Sequence, residues 1–559
     1  MAIKTLLRSL LTVHGGCLTI LVLASILFFV NIGSYNRFSR AESYFSLGSR
    51  MMLETGDRLL MHSPQELPLN KPPLEYWVIG ASYKIFGTDY GSGRIPSGLF
   101  ALGILALTYA FGQRFIGRLG AATAAAMLAT TWLFFSFARL TMPDILLTLC
   151  IMTSICCWML VLDGISKHQY LLALIGYAAM AAGFLVKGPA AIFLTGAPFL
   201  IELIISRDLS IIRKLRPFSG LIVFLLFALP YFVLVYLRDG MGPIENWFVQ
   251  ENLRRFTGTS YAPRSSFIEY TFGSMLGGFA PWSILLLIVA FFDLRKRKAL
   301  DIGHRTVRLL YIWMILPVAF FAASRFRIDY YVIPAFPAAA LITARIITQI
   351  HLSTVTVQRI LYVFSTMVVL GLLVAAGFLA IAPLGVLFPE TSLVYLCAFA
   401  IICGLIPTLV CIYLRKVNYL VLGTTFAIWL TLVSINIFLT PQQSRFLPVP
   451  QMSAKVTDTA KIYVYGDAED WTPDIRFNLP YEKPVLAVPR EMGVARVKEL
   501  LDEANTAVFL YEDDLLALQN LGFAPAALAE GEVYQARRIN VKMLLNPQLR
   551  KLYCVSKSS

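Results

Sequence analysis

The sequence predicts a mainly α, polytopic membrane protein of about thirteen transmembrane helices, with a small α/β domain at its C-terminal end. Three observations predict it. The 559 residues are 57% hydrophobic and only 14% charged, where a soluble chain carries about a quarter charged residues. Apolar runs of roughly 18 or more residues recur along the chain, and in hydrocarbon only closed helices satisfy every backbone group. The mean hydropathy of +0.68 agrees.

The first apolar run, about residues 9–31, is too long for a signal-peptide core and lacks a small-residue cleavage site, so it reads as a retained helix. Further spans fall near 94–113, 119–138, 142–162, 169–186, 189–206, 217–237, 268–292, 307–323, 330–349, 358–383, 391–414 and 418–440. The net charge of +15 does not indicate nucleic acid, because the basic residues sit in short loops between spans. Lys4, Arg8, Arg114, Arg118, Lys167, the loops at 207–216 and 295–308, and Arg415–Lys416 all fall on one side. That side is predicted to be cytoplasmic, with the N-terminus inside and the C-terminal domain outside.

The long loops then lie on the outer face: 32–93, 238–267 and everything after 440. In the first, Ala41, Tyr44, Phe45, Gly48 and Met52 recur at helical spacing, with Glu42, Ser46 and Ser49 opposite. This predicts a helix lying at the membrane interface. A second begins at Pro72–Pro73, places Leu74, Trp77, Val78, Ala81 and Ile85 on one face, and stops at Gly87. After Thr440–Pro441 the pattern changes. "KIYVYG", "PVLAVP" and "TAVFLY" read as strands, and "MGVARVKELLDEA" and "DDLLALQNLG" as helices. The division is therefore a membrane domain over 1–440 and an extracytoplasmic α/β domain with a partly parallel sheet over 441–559.

Seven of the eight cysteines lie inside apolar spans and Cys554 stands alone, so there is no disulfide framework. Five scattered histidines offer no zinc spacing. The informative anomaly is charge on the outer face, close to the bilayer. Arg139 and Asp144 flank the turn in "ARLTMPDILL", and Lys187 ends a span in "VKGP". Arg325, Arg327 and Asp329 fill the short loop "SRFRIDYY"; Arg254, Arg255 and Arg264 share another loop with Glu251; and Lys71 precedes the second interface helix. Cations against the orientation bias predict an anionic ligand, with lipid phosphate the obvious candidate. The competing reading is snorkelling anchors and internal ion pairs. Lys71 is the sharpest case, because a helix N-terminus already favours negative charge and two prolines leave few amides to serve it. For Asp144, a role complementing the helix dipole competes with a catalytic one.

"NKPPLEYWVIGASYKIFG", "GRIPS", "RLTMPDILLTL", "VKGPAA", "ENLRRF", "PW" and "DYYVIPAFPA" follow one another in the order seen in GT-C membrane glycosyltransferases. Over roughly residues 10–340 the chain most resembles the family of the lipid A 4-amino-4-deoxy-L-arabinose transferase, related to protein O-mannosyltransferases. The resemblance implies transfer of a sugar from a polyprenyl-phosphate carrier to a lipid, glycan or protein acceptor, outside the cytoplasmic membrane. It matches Lys71 to the carrier-phosphate ligand, Asp144 to the aspartate of a "PD" motif, and Tyr330 and Tyr331 to a substrate region. The chain departs from the pattern at Ala41, where an Asp-Glu pair is usual, at Asn70, often acidic, and in "TGTSYAPRSSF", which lacks the histidine of metal-binding relatives. No metal or other cofactor is therefore expected.

The expected chemistry is a single inverting displacement at the anomeric carbon, with an acceptor oxygen in place of water. Glu42 is the first choice for the base and Asp144 the second. Lys71, Arg255, Arg325 and Arg327 would hold the phosphate, and Arg139, Tyr330 and Tyr331 would line the substrate pocket. If the acceptor is itself a phosphate, no base is required. A transporter would need paired broken helices with charges at the midplane, which the sequence does not show. A non-catalytic protein that only binds carrier lipid stays open.

Overall fold

The computed structural model describes residues 2–59, 71–164, 168–257, 266–295, 305–325, 327–348, 355–382, 384–385, 387–480, 482–534 and 549–557. Asn70, Lys167, Arg264, the basic run 296–298 and most of the loop 257–267 lie outside them, as do the side chains of Lys4, Arg8 and Arg255. Nine helices among the described residues are long and apolar enough to cross a bilayer. The first expected span is helix α1 (Ala2–Phe29). Helix α4 (Tyr90–Ala129) holds two expected spans, separated by non-helical backbone at Gly117 with φ 69°. The second of them ends early, at Ala129, and a short helix α5 (Trp132–Phe137) completes it. Expected spans at 268–292 and 330–349 are each split between an irregular helical segment and a 13-residue helix, Ser283–Arg295 and Phe336–Thr348.

Many apolar side chains stay exposed, as lipid-facing residues do. Phe218, Leu226, Phe227 and Leu237 of the helix Pro217–Asp239 are examples. Several buried charges among the described residues are paired. Arg308 makes a two-pronged contact with Glu202 at 2.7 and 2.5 Å, and Arg345 reaches Asp293 at 2.5 Å. Arginine suits such sites because its planar fork matches a carboxylate.

In the first long loop, helix α2 (Arg40–Thr55) packs on helix α3 (Leu74–Phe86). The face of α2 expected to be solvated is buried instead: Glu42, Ser46 and Ser49 are each at most 2% exposed. Internal partners make that burial tolerable, since Ser49 Oγ donates to the Phe45 carbonyl and Glu42 meets Arg94. Helix α3 has the expected bounds, with Pro73 before it and Gly87 closing it at φ 88°. Of the apolar face, Trp77, Ala81 and Ile85 are exposed and Leu74 and Val78 are half-buried, while Glu75, Tyr76, Ile79, Ser82 and Tyr83 point inward. Against lipid the apolar face turns outward, so periodicity finds two faces without saying which one meets protein.

The C-terminal region forms a five-stranded sheet in the order β2-β1-β3-β5-β4. Strands β1 (Lys461–Tyr465), β2 (Val485–Val488) and β3 (Thr506–Tyr511) are the three expected ones and run parallel. The two expected helices are Gly493–Asp502 and Glu512–Asn520. Strands β4 (Ala526–Tyr534) and β5 (Leu549–Ser556) were not foreseen and add an antiparallel pair. The Ala, Glu and Gly of β4 are poor strand formers, and pairing with β5 overrides them. This domain sits on the first long loop. The Phe38 amide donates to Asp474 at 2.9 Å, and the rings of Phe38, Tyr90 and Phe477 pack at 4.5–5.1 Å.

Candidate functional site

Four chain segments converge beside the start of α3. Lys71 stands directly before Pro72 and Pro73, and α3 begins with no side-chain cap. Helix α6 (Pro143–Asp163) opens with Pro143 and Asp144 in its first turn. Helix α7 (Gln169–Lys187) ends on Lys187, and Gly188 turns the chain into helix α8 (Pro189–Ser206). Gly188 adopts φ +78°, and a Cβ there would lie 2.6 Å from the Trp247 ring, so only glycine fits. This turn holds Lys187 in place.

Lys71 and Lys187 line one cavity of about 290 Å³, with Glu251 and Asn252 from the segment Asn246–Arg254 and with Ser324 and Tyr331. Phe248, Phe256, Phe320 and Phe321 form much of its wall. Each lysine touches an acid. Lys71 Nζ is 3.3 Å from Glu251, and Lys187 Nζ donates to Asp144 Oδ1 at 2.6 Å. The Lys187 ammonium also lies 4.3 Å from the Tyr331 ring centroid, a cation–π contact. Asp144 is 1% exposed, and its Oδ2 has no hydrogen-bond partner among the described residues.

Of the other residues singled out in the sequence, Tyr331 joins the cavity wall, and Tyr330 packs at a tilt on Phe137 with its ring 5.8 Å from Lys187. Arg325 is exposed, one residue from the cavity-lining Ser324, and its amide donates to the Phe256 carbonyl at 3.1 Å. Arg327 Nε donates to the Ala322 carbonyl at 3.0 Å, and Arg327 does not line the cavity. Of Arg255 only the backbone is described, at the start of the helix Arg255–Thr257.

Glu42 and Arg139 stand elsewhere. One oxygen of Glu42 accepts from Arg94 Nε and the Thr141 amide, both at 3.1 Å; the other accepts from the Ser39 amide at 2.9 Å. Ser39 and Glu42 thus form a reciprocal cap on α2. The signal was present as Ser39-Arg-Ala-Glu42, a Ser-x-x-Glu pattern before an apolar helix. Arg139 was expected in the substrate pocket. Its guanidinium instead donates to the carbonyls of Leu27, Phe28 and Val30 at 2.8–2.9 Å. Helix ends leave carbonyls without intrahelical donors, and the end of α1 recruits Arg139 for that purpose.

Glu75 was missed. It lies on the inward face of α3, 1% exposed, where burial and then the charge of Asp144 push its carboxyl up to about 8. The sequence carried the hint as a lone acid in "PPLEYWVIGAS".

Compared with known proteins, residues 70–234 match the family described as dolichyl-phosphate-mannose-protein mannosyltransferase. The whole chain superposes on the crystal structure of ArnT from Cupriavidus metallidurans bound to undecaprenyl phosphate. The TM-score is 0.74 at 17% identity, over 97% of this chain and 98% of that one. The chain has the fold of that ArnT structure, and its sequence resembles the arabinosyl transferases. An undecaprenyl phosphate-alpha-4-amino-4-deoxy-L-arabinose arabinosyl transferase of Pectobacterium carotovorum is 26% identical over 334 residues, 58% of each chain. An uncharacterized protein of Aquifex aeolicus is 26% identical over 373 residues, 66% of this chain and 72% of that one. The match thus spans little more than half of the arabinosyl transferase. The matched segment 70–234 contains Lys71 and Lys187 of the cavity wall and Asp144 behind it.

Proposed function

We propose that this chain transfers a sugar from a polyprenyl-phosphate carrier to a lipid A, glycan or other acceptor, with inversion at the anomeric carbon. One observation carries the reading: two lysines from separate segments, Lys71 and Lys187, line a single aromatic-walled cavity. The aromatic and aliphatic wall suits a prenyl chain and a sugar face, and the ammonium groups suit a phosphate. A neighbour of the same fold was solved with undecaprenyl phosphate bound, which supports the same carrier class here.

In this reading the acceptor oxygen attacks the anomeric carbon and forms the new C–O bond. The bond from that carbon to the carrier phosphate breaks, and its electron pair stays on the phosphate oxygen. Lys71, with Lys187 beside it and Arg325 at the rim, stabilises the charge that develops there. The acceptor proton goes to Asp144, whose Oδ2 is unoccupied among the described residues. Glu42, the first choice from sequence, yields that role because both its oxygens are already held by Ser39, Arg94 and Thr141.

The proposed setting is the cytoplasmic (inner) membrane, with the N-terminus cytoplasmic and the division at 440–441 setting an extracytoplasmic domain on the cavity side. The loop charges support it. The decisive experiment purifies the protein, identifies any bound polyprenyl phosphate by mass spectrometry, and follows transfer of labelled sugar from that carrier to lipid A. Absence of both carrier binding and transfer would overturn the proposal.

A further inference from the structure

Asn252 belongs to the segment Asn246–Arg254 and lines the cavity beside Glu251. The segment is wound as a π-helix, a form that is frequent at functional sites. Asn252 Nδ2 donates to the Trp247 carbonyl at 2.9 Å. A carbonyl only accepts, so this bond fixes which end of the Asn252 amide is nitrogen and turns Oδ1 the other way. Oδ1 faces Gly188, where a Cβ would lie 3.5 Å from it. No group among the described residues donates to Oδ1. Lys187, Pro189 and Ala190, on either side of Gly188, line the same cavity. The acceptor therefore looks onto the stretch of wall that carries the Lys187 ammonium. The charged groups nearby are taken up in pairs, Lys71 with Glu251 and Lys187 with Asp144. Asn252 adds a neutral, oriented acceptor to a wall of aromatic rings and ion pairs.

We propose that Asn252 is a specificity-determining residue that reads the transferred sugar, its Oδ1 accepting a hydrogen bond from an O–H or N–H on the sugar ring. This rests on the reading of the cavity as the carrier-phosphate site. The sugar is joined to the carrier phosphate through its anomeric carbon. A phosphate held at Lys187 therefore brings the sugar against the neighbouring wall, where Asn252 stands. Pockets of this kind use a few placed polar groups to fix orientation and to choose the substrate. The bond to Trp247 holds the amide in place beforehand, so little freedom is lost when the sugar binds. A site built to accept from a substrate group rejects an analogue that lacks it. The bare carrier has no sugar, so its binding does not depend on Asn252.

The test measures binding of three probes to the purified protein: undecaprenyl phosphate, and the same carrier bearing mannose or 4-amino-4-deoxy-L-arabinose. Asn252→Leu keeps the shape of the side chain and removes the acceptor. It should weaken a glycosylated probe about 5–100-fold, the cost of a donor left unserved, and leave undecaprenyl phosphate within about twofold. A loss that includes the mannose probe assigns the bond to a hydroxyl, and a loss with the amino sugar alone assigns it to the amine. Equal weakening of all three probes would show that Asn252 only braces its segment through Trp247, and would overturn the proposal. Unchanged binding of both glycosylated probes overturns it too, as does a wild-type protein that binds neither more tightly than the bare carrier. Should Asn252→Leu fail to fold, Asn252→Ala is read in the same way. Failure of the wild-type protein to bind undecaprenyl phosphate is a separate result, which removes the carrier site and the sugar reading with it.

Discussion

Lys187 holds Asp144 at 2.6 Å across the ends of two helices, leaving the second carboxylate oxygen without a partner among the described residues. The contact brings together the start of one helix and the end of another. It also sets an acid one ion pair away from the wall of the cavity. Removing either partner leaves a buried charge uncompensated, at a cost of about 3–5 kcal/mol.

Asp144→Asn keeps the size of the side chain but cannot take a proton. With a hydroxyl acceptor, transfer should fall about 10²–10⁴-fold while binding of undecaprenyl phosphate changes little. Both variants lose a buried ion pair and should lower the melting temperature, but Glu42→Gln, which loses its pairing with Arg94, should affect the rate less. Rates and melting curves measured side by side on both variants check this. A larger rate loss in Glu42→Gln than in Asp144→Asn would return the base to Glu42.

Lys71→Ala should abolish transfer and weaken undecaprenyl phosphate binding, yet leave the helical signal intact, because Lys71 stands outside the packed helices. Lys71→Arg should recover little, since a planar fork places its charge differently from an ammonium. Full activity in a folded Lys71→Ala protein would sink the phosphate assignment.

Gly188→Ala tests whether the turn after Lys187 sets the geometry. The added Cβ meets the Trp247 ring at 2.6 Å, in a backbone conformation that only glycine adopts readily. The strain should cost about 1–3 kcal/mol and lower transfer as Lys187 shifts. A variant with unchanged melting temperature and rate would show that the turn is permissive.

The junction between the C-terminal domain and the first long loop should respond to pH through Asp474. Burial raises its carboxyl to about 7, opposed by the Phe38 amide and Arg37. A folded-state value above the unfolded one of about 4 means that the folded chain keeps a proton the unfolded chain releases. The stabilisation is complete below about pH 4 and is lost as pH rises through about 7. The melting temperature should therefore fall across that window in the wild-type protein and stay flatter in Asp474→Asn. Equal slopes in both would remove Asp474 from the junction's pH response.

The sequence by itself determined the membrane class, the bounds of α3 and the three parallel strands, because apolar runs, Pro–Pro and Gly punctuation, and short β-branched runs are local signals. It also marked Lys71, Asp144, Lys187 and Glu251 as chemically notable, since charge beside a bilayer is costly wherever it occurs, while Tyr331 was marked by the family resemblance. Only the tertiary structure decided which of these meet. Three of them converge on the cavity wall with Tyr331, and Asp144 stands one ion pair behind. Arg139 was drawn off to the end of α1, and Glu42 into a cap and a buried pair. The strands β4 and β5, and the inward turn of Glu75, likewise came from contacts distant in sequence. The physical reason is that a side chain's partners are fixed by packing between helices far apart along the chain. Periodicity reports the faces of a helix, and only its neighbours settle which face turns inward.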